Sequence, residues 1–152
     1  MEFDAVIQKR RSVRSYTSYA PSDRDLEKIV HAAQQAPSAG NLKARKMFTI
    51  KSSTRIRQLM EGALHQKWIT EAPYVMLFCA DHRAIESYGE RGKDLYSVQD
   101  ATIAAAFAML KATDLGLATC WVGAFDEKSI SDAAGLPPYL RPVAILTLGY
   151  EK

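Results

Sequence analysis

Apolar residues recur along the chain at spacings that separate helices from strands. Phe3 to Lys9 reads as a short helix running into a cluster of basic residues. Leu26, Ile29, Val30 and Ala33 follow the i, i+3, i+4, i+7 spacing of one helix face. Ser22 with Asp25 three residues on supplies a capping signature ahead of them, and the helix is expected to end near Pro37. Lys46 to Lys51 has strand character. A further helix is expected from about Thr54, with Ile56, Leu59, Met60, Ala63 and Leu64 on its apolar face. Pro73 then opens Tyr74-Val75-Met76-Leu77-Phe78-Cys79, a run of strand length closed by Asp81. Residues 82–96 are polar and contain Gly89 and Gly92, so they are expected as loop with at most a short helix.

The stretch from about Ser97 to Leu115 predicts a helix of a different kind. Between Ala101 and Leu110 it is apolar on every side, and Gly116 is placed to stop it. The pattern leaves two readings open: a helix buried wholly in the core, or one shared with a partner subunit. Ala118 to Val122 predicts a short strand, Asp126 caps a helix running to Gly135, and Pro142 to Leu148 predicts the last strand. Helices and strands alternate irregularly, with two helices before the first strand. This order predicts an α+β fold with a mixed sheet flanked by helices.

At 152 residues the chain is sized for one domain, residues 1–152. With 47% hydrophobic and 24% charged residues it is neither a disordered chain nor a collagen-like or disulfide-built one. The longest apolar run, Ala101 to Leu110, spans ten residues, half of the roughly 20 that cross a bilayer. Acidic residues precede basic ones at the N-terminus, unlike a signal peptide, so a cytoplasmic location without membrane contact is expected. The net charge of +3 does not mark a nucleic-acid binder, and aromatics are not interleaved with the basic residues. Those basic residues are nonetheless clustered: Lys9, Arg10, Arg11 and Arg14, then Lys43, Arg45 and Lys46. Each cluster fits either a solvated face or an anion site. Cys79 and Cys120 sit inside apolar stretches and are expected as buried free thiols. His31, His65 and His82 are too scattered for a local metal site.

Four segments, in this order and spacing, resemble the FMN-dependent nitroreductase family. They are Arg10-Arg11-Ser12-Val13-Arg14 after a short helix, and Ala36-Pro37-Ser38-Ala39-Gly40-Asn41 closing the next helix. The third is Gly116 to Phe125 after the alanine-rich helix, and the fourth is Pro142 to Tyr150. The resemblance spans nearly the whole chain. It implies a mainly antiparallel sheet and a homodimer with the apolar helix at its interface. It also implies FMN as cofactor and NADH or NADPH as reductant.

The same resemblance implies roles for particular residues. Arg10 and Ser12 would hold phosphate and ribityl oxygens, which suits the bidentate fork of arginine, and Arg11 would assist. Arg14 corresponds to a basic residue near the pyrimidine edge of the flavin, where a cation favours the charge gained on reduction. Pro37, Ser38, Ala39 and Asn41 resemble a loop that reaches the flavin of the other subunit, its small residues allowing close approach. Backbone at Val122 and Gly123 resembles the segment facing flavin N5, with Trp121 as a ring neighbour or a core residue. Gln66 matches a polar position that touches the flavin, with His65 adjacent.

Two departures stand out. After Asn41 the family continues with glutamine and an aromatic residue, whereas this chain has Leu42-Lys43-Ala44-Arg45, in which Lys43 or Arg45 could approach the ligand. The family's basic tail beyond the last strand is also absent, leaving Arg11 or Lys152 as substitutes at the phosphate. The leading expectation is an NAD(P)H oxidoreductase for nitroaromatics, quinones or similar flat acceptors, with ping-pong hydride transfer carried by the cofactor and no side-chain acid or base. A flavin-storage or sensing protein of the same fold is the alternative.

Overall fold

Four strands form one sheet in the order β1-β2-β4-β3: β1 (Arg45–Ile50), β2 (Tyr74–Asp81), β3 (Ala118–Val122) and β4 (Leu140–Gly149). The computed structural model describes all residues from Met1 to Lys152. Every pairing between these strands is antiparallel. The expected mixed character survives only as one parallel bridge, Ser12 with Thr119, outside the named strands.

Helices cover both faces of the sheet. The two-residue period of a strand therefore sends neighbouring side chains of β2 into different cores. Met76 and Phe78 join Leu26, Ile29 and Ala33 of α2 (Asp23–Gln34) and the alanines of α5 (Ser97–Asp114). Val75, Leu77 and Cys79 join Ile56 and Leu59 of α3 (Ser53–Gly62) and Ile130 of α6 (Glu127–Ala134). Burial on both faces explains why β2 reads as an unbroken apolar run. Both cysteines are free and buried.

Several helix ends follow from local chemistry. Ser22 accepts from the Asp25 N–H at 3.1 Å and Asp126 from the Ser129 N–H at 2.8 Å, each satisfying an otherwise orphaned donor. Gly135 ends α6 at φ 64°, in the left-handed region. The apolar face expected over 54–64 is cut short. Helix α3 stops at Gly62, and Leu64 lies beyond it at φ 58°, 65% exposed. Residues 82–96 carry more structure than expected. A 3-10 turn (Glu86–Tyr88), the single-turn helix α4 (Gly89–Arg91) and a π-type turn (Gly92–Tyr96) lead straight into α5.

The all-round apolar helix divides into two faces. Ala101, Ala104, Ala105, Ala108 and Ala112 are fully buried, and their small side chains let α2 and the sheet approach closely. Thr102 and Phe107 are exposed, with Leu110 half-buried. The core reading thus holds for the alanine face only. Phe107 and Leu110, with Met1, Phe3 and Val6 at the N-terminal helix α1 (Phe3–Lys9), line an apolar hollow of about 380 Å³. Met1, Phe3 and Ile7 are 55%, 68% and 47% exposed. No helix is long and apolar enough to cross a membrane.

Candidate functional site

Between α1 and α2 the chain runs as an extended ribbon along the free edge of β3. The Val13 N–H donates to the Thr119 carbonyl at 2.9 Å. Further along, the ribbon meets the C-terminal residues, and its Tyr16 N–H donates to Glu71 Oε2 at 3.2 Å. The Thr17 N–H donates to the Tyr150 carbonyl at 2.8 Å, and the Lys152 N–H to the Ser15 carbonyl at 3.2 Å. Tyr16 is the anchor. Its buried hydroxyl donates to the Val13 carbonyl at 2.7 Å and lies 2.6 Å from Thr147 Oγ1. Burial pushes the Tyr16 phenol far above its ordinary pKa, so it remains a neutral donor.

A pinned ribbon sorts its side chains by the strand period. Arg10, Ser12 and Arg14 fall on one side, Arg11 and Val13 on the other. Burial raises the pKa of the Cys120 thiol, while nearby Arg14 and a Ser12 hydrogen bond pull it partway back, so both side chains gather there. Arg14 also lies 5.7 Å from the centre of the Trp68 ring. Arg10 and Arg14 belong to none of the ion pairs of the chain. Arg11 differs: its Nη2 donates to Glu151 Oε1 at 2.6 Å. That pair borders a small cleft of about 120 Å³ with Lys9, Thr113, Gly116 and Thr119. Thr119 Oγ1 is buried there without a hydrogen-bond partner.

At the far end of β3, Val122 is buried and Gly123 exposed. A Cβ at Gly123 would meet nothing closer than Trp121 Nε1 at 3.4 Å, so packing within the chain does not require glycine there. Gln66 ties this turn to the end of α3, donating to the carbonyls of Ala63 at 2.9 Å and Ala124 at 3.2 Å. His65 is exposed at φ 55°. Trp121 is partly buried and packs against the core on the α5 side.

The loop after α2 is built differently. Gly40, Asn41 and Lys43 take positive φ values of 58°, 56° and 49°. Ser38 Oγ accepts from the Lys43 N–H at 3.0 Å. The Asp100 carboxylate, on α5, accepts from the N–H groups of Ala39 and Ala44, both at 3.0 Å. Arg45 turns inward and donates to the carbonyls of Gln34 (3.2 Å), Ala36 (2.7 Å) and Pro37 (3.0 Å), the acceptors left open where α2 ends. Burial lowers the pKa of this guanidinium, against the opposing pull of Asp100. Arg45, buried in this way, is spent on the backbone where α2 runs into the loop. Lys43 and Asn41 remain exposed. The Tyr88 hydroxyl rests over Gly40, 2.5 Å from where a Cβ would stand.

The ribbon lies along β3, whose far end carries Val122 and Gly123; the loop does not join them. The loop meets α5 at Asp100, while the cleft beside the ribbon meets it at Thr113. Thirteen residues of helix separate those points, about 20 Å at 1.5 Å per residue. Asp100 and Tyr88 escaped the sequence reading, because their partners lie far away along the chain. The one available signal was an acidic residue at the head of an otherwise apolar helix.

Solved structures share this α+β architecture over the full chain. A nitroreductase family protein from Clostridium novyi NT superposes with a TM-score of 0.90 at 32% identity, covering 100% of this chain and 86% of that one. NfrA2 of B. megaterium gives 0.91 at 30% identity, covering 100% and 67%. An FMN reductase [NAD(P)H] of Bacillus subtilis is 32% identical over 158 aligned positions; the match takes in 95% of this chain and 64% of the relative. Residues 7–70 and 57–150 match the model of the Nitroreductase family, and the chain belongs to that family.

Proposed function

We propose that residues 1–152 form one flavin-binding domain of an FMN-dependent NAD(P)H oxidoreductase of nitroreductase type, working as a homodimer in the cytoplasm. The carrying observation is the ribbon, whose Arg10 and Arg14 have no ionic partner in the chain. Its backbone is fixed by hydrogen bonds to Thr119, Tyr150 and Lys152. Four residues of extended chain place the Cα atoms of Arg10 and Arg14 at most about 13 Å apart, a spacing that suits a long ligand with an anionic end. The open approach at Gly123 fits a flat group near the end of β3. The donor set therefore fits FMN. When bound, FMN supplies the redox chemistry, taking hydride from a reduced nicotinamide and passing electrons to a flat acceptor such as a nitroaromatic or quinone.

The residues of the chain then bind, orient and place charge. Arg10 and Ser12 hold phosphate and ribityl oxygens. Arg11 already has Glu151 and assists only by proximity. Arg14 offers a cation where the reduced ring gains negative charge. Val122 and Gly123 present backbone to the ring, and Gln66 steadies that turn through Ala124. Pro37, Ser38, Ala39 and Asn41 belong to a loop about 20 Å from its own ribbon, so they serve the ribbon of a second copy. The uncovered Phe3, Ile7 and Phe107 supply the apolar surface for that pairing. Reductant and acceptor use the same open face in turn, which gives ping-pong kinetics.

Rapid mixing of the FMN-loaded protein with NADH or NADPH tests the activity. Loss of the flavin absorbance with at least one of them is expected, and no loss with either over minutes rejects it. Light scattering tests the assembly: a mass near twice 16.9 kDa is expected, and 16.9 kDa rejects the dimer.

A further inference from the structure

The buried pair Asp100 and Arg45 divides a task that neither charge could do alone. Asp100 is 2% exposed and Arg45 7%. Their side chains form no ion pair with each other; each is directed at backbone. The carboxylate holds the N–H groups of Ala39 and Ala44, the two ends of the loop. The guanidinium holds three carbonyls where α2 runs into that loop, and the Asp100 carbonyl at 3.4 Å. The loop between them contains residues in the left-handed region that are not glycine, Asn41 and Lys43, a conformation that does not persist unless its surroundings impose it. Burying two charges is costly, and stability alone is served as well by apolar packing. What the charges supply is a single loop shape.

We propose that Asp100 and Arg45 are positioning residues of the flavin site, setting the loop 37–44 in the one shape in which it meets the flavin held by the partner subunit. This rests on the function proposed above. Neither residue touches the flavin. Both act through the backbone of Ala39, Ala44 and Pro37.

The test uses the full-length dimer and FMN as probe. Wild-type protein is titrated first; failure to bind FMN overturns the flavin reading and the positioning role together. Asp100→Asn keeps the shape of the side chain but turns one of its two acceptors into a donor facing an N–H. FMN affinity is expected to fall about 10- to 100-fold, the loss of a charge-assisted hydrogen bond. The decisive readout is a hybrid dimer of one Asp100→Asn subunit and one Arg10→Ala subunit, isolated with two affinity tags. One of its sites then combines both defects. The other joins the intact ribbon of the first subunit to the intact loop of the second. One site of wild-type affinity per hybrid dimer is expected, although neither homodimer has any. General damage to folding cannot produce that recovery.

Wild-type FMN affinity in the Asp100→Asn homodimer would overturn the positioning role alone, as would a hybrid without a tight site. If Asp100→Asn does not fold, Arg45→Lys takes its place in the same hybrid. It keeps the charge but loses the fork that reaches several carbonyls at once. The same recovery is expected, and its absence would overturn the proposal.

Discussion

The ribbon 10–17 and the loop 37–44 are both irregular segments, yet they are held in opposite ways. In the ribbon the backbone is paired with Thr119 of β3 and with Tyr150 and Lys152, so Arg10 and Arg14 keep their charges free for a ligand. In the loop the side chains from Pro37 to Asn41 are small, and buried charges satisfy the backbone: Asp100 on its N–H groups, Arg45 on carbonyls where α2 runs into it. The ribbon presents side chains on a rigid strand. The loop presents a shape. Substitutions at Arg10 or Arg14 should therefore change ligand affinity and leave stability alone, whereas substitutions in the loop should change both.

The largest effect is expected at Arg10. Arg10→Ala removes a charge-assisted hydrogen bond worth roughly 1.5–3 kcal/mol, so FMN affinity should fall about 10- to 150-fold. The melting temperature without FMN should stay at the wild-type value, because the backbone pairs of the ribbon do not involve that side chain. A fluorescence titration beside a thermal melt checks both. A melting temperature that falls with the affinity would erase the contrast with the loop.

Gly40→Ala tests the loop. The residue sits at φ 58°, where a side chain costs about 1–2 kcal/mol, and the new Cβ would press on the Tyr88 hydroxyl at 2.5 Å. For a chain of this size that corresponds to a fall in melting temperature of roughly 2–8 °C. FMN affinity should drop with it. Adding Tyr88→Phe should recover part of the stability and no more. The hydroxyl contact is relieved, but the ring edge still stands at 3.1 Å and the backbone strain remains.

The two regions also differ in how far they could be read from the sequence. Local periodicity located every main helix and strand, because side chains three to four or two positions apart decide those. The capping roles of Ser22 and Asp126 were legible for the same reason. The end of α3 was not. A Cβ at Gly62 would come 3.0 Å from Ile130 Cδ1, so that end is shaped by packing against α6, which Leu64 and its neighbours do not announce. The ribbon could be read through its motif, although the Glu151 partner of Arg11 lies 140 residues away. In the loop, Arg45 looked like one more cation of a basic cluster. Its inward turn depends on the open carbonyls of α2 and on Asp100, which is 56 residues from the Ala44 N–H it accepts. Long-range charge on backbone leaves no local pattern.

Arg11 sharpens the comparison from inside the ribbon. It neighbours Arg10 in sequence but lies on the other side of the strand, paired with Glu151 in a pair whose side chains are 64% and 42% exposed. Such pairs contribute about 0–1 kcal/mol. Arg11→Ala should therefore lower FMN affinity by less than about fivefold and leave the melting temperature nearly unchanged. An effect equal to that of Arg10→Ala in the same titration would mean that the strand period does not sort these side chains.

The smallest effect concerns how the ribbon is approached from α1. Asp114, at the end of α5, accepts from the Met1 ammonium and from Lys111 Nζ, both at 2.6 Å, and so tethers the helix that leads into Arg10. The hydrogen bond from Lys111, then that from the ammonium, holds the Asp114 carboxyl at a pKa of about 2, below its ordinary 3.8. A carboxylate whose pKa is depressed by folding contributes stability above its unfolded value and loses it as pH falls through the folded one. The tether should therefore act fully above about pH 4 and vanish as pH falls toward 2. Its partners are partly exposed, so its contribution stays under about 1 kcal/mol, or no more than roughly 4 °C in melting temperature. Asp114→Asn should melt slightly below wild type at pH 7, and the two curves should converge near pH 2. A gap that stays constant between pH 7 and pH 2 would show that the carboxylate charge plays no part in the tether, leaving the apolar contacts of Phe3 and Val6 to hold α1 in place.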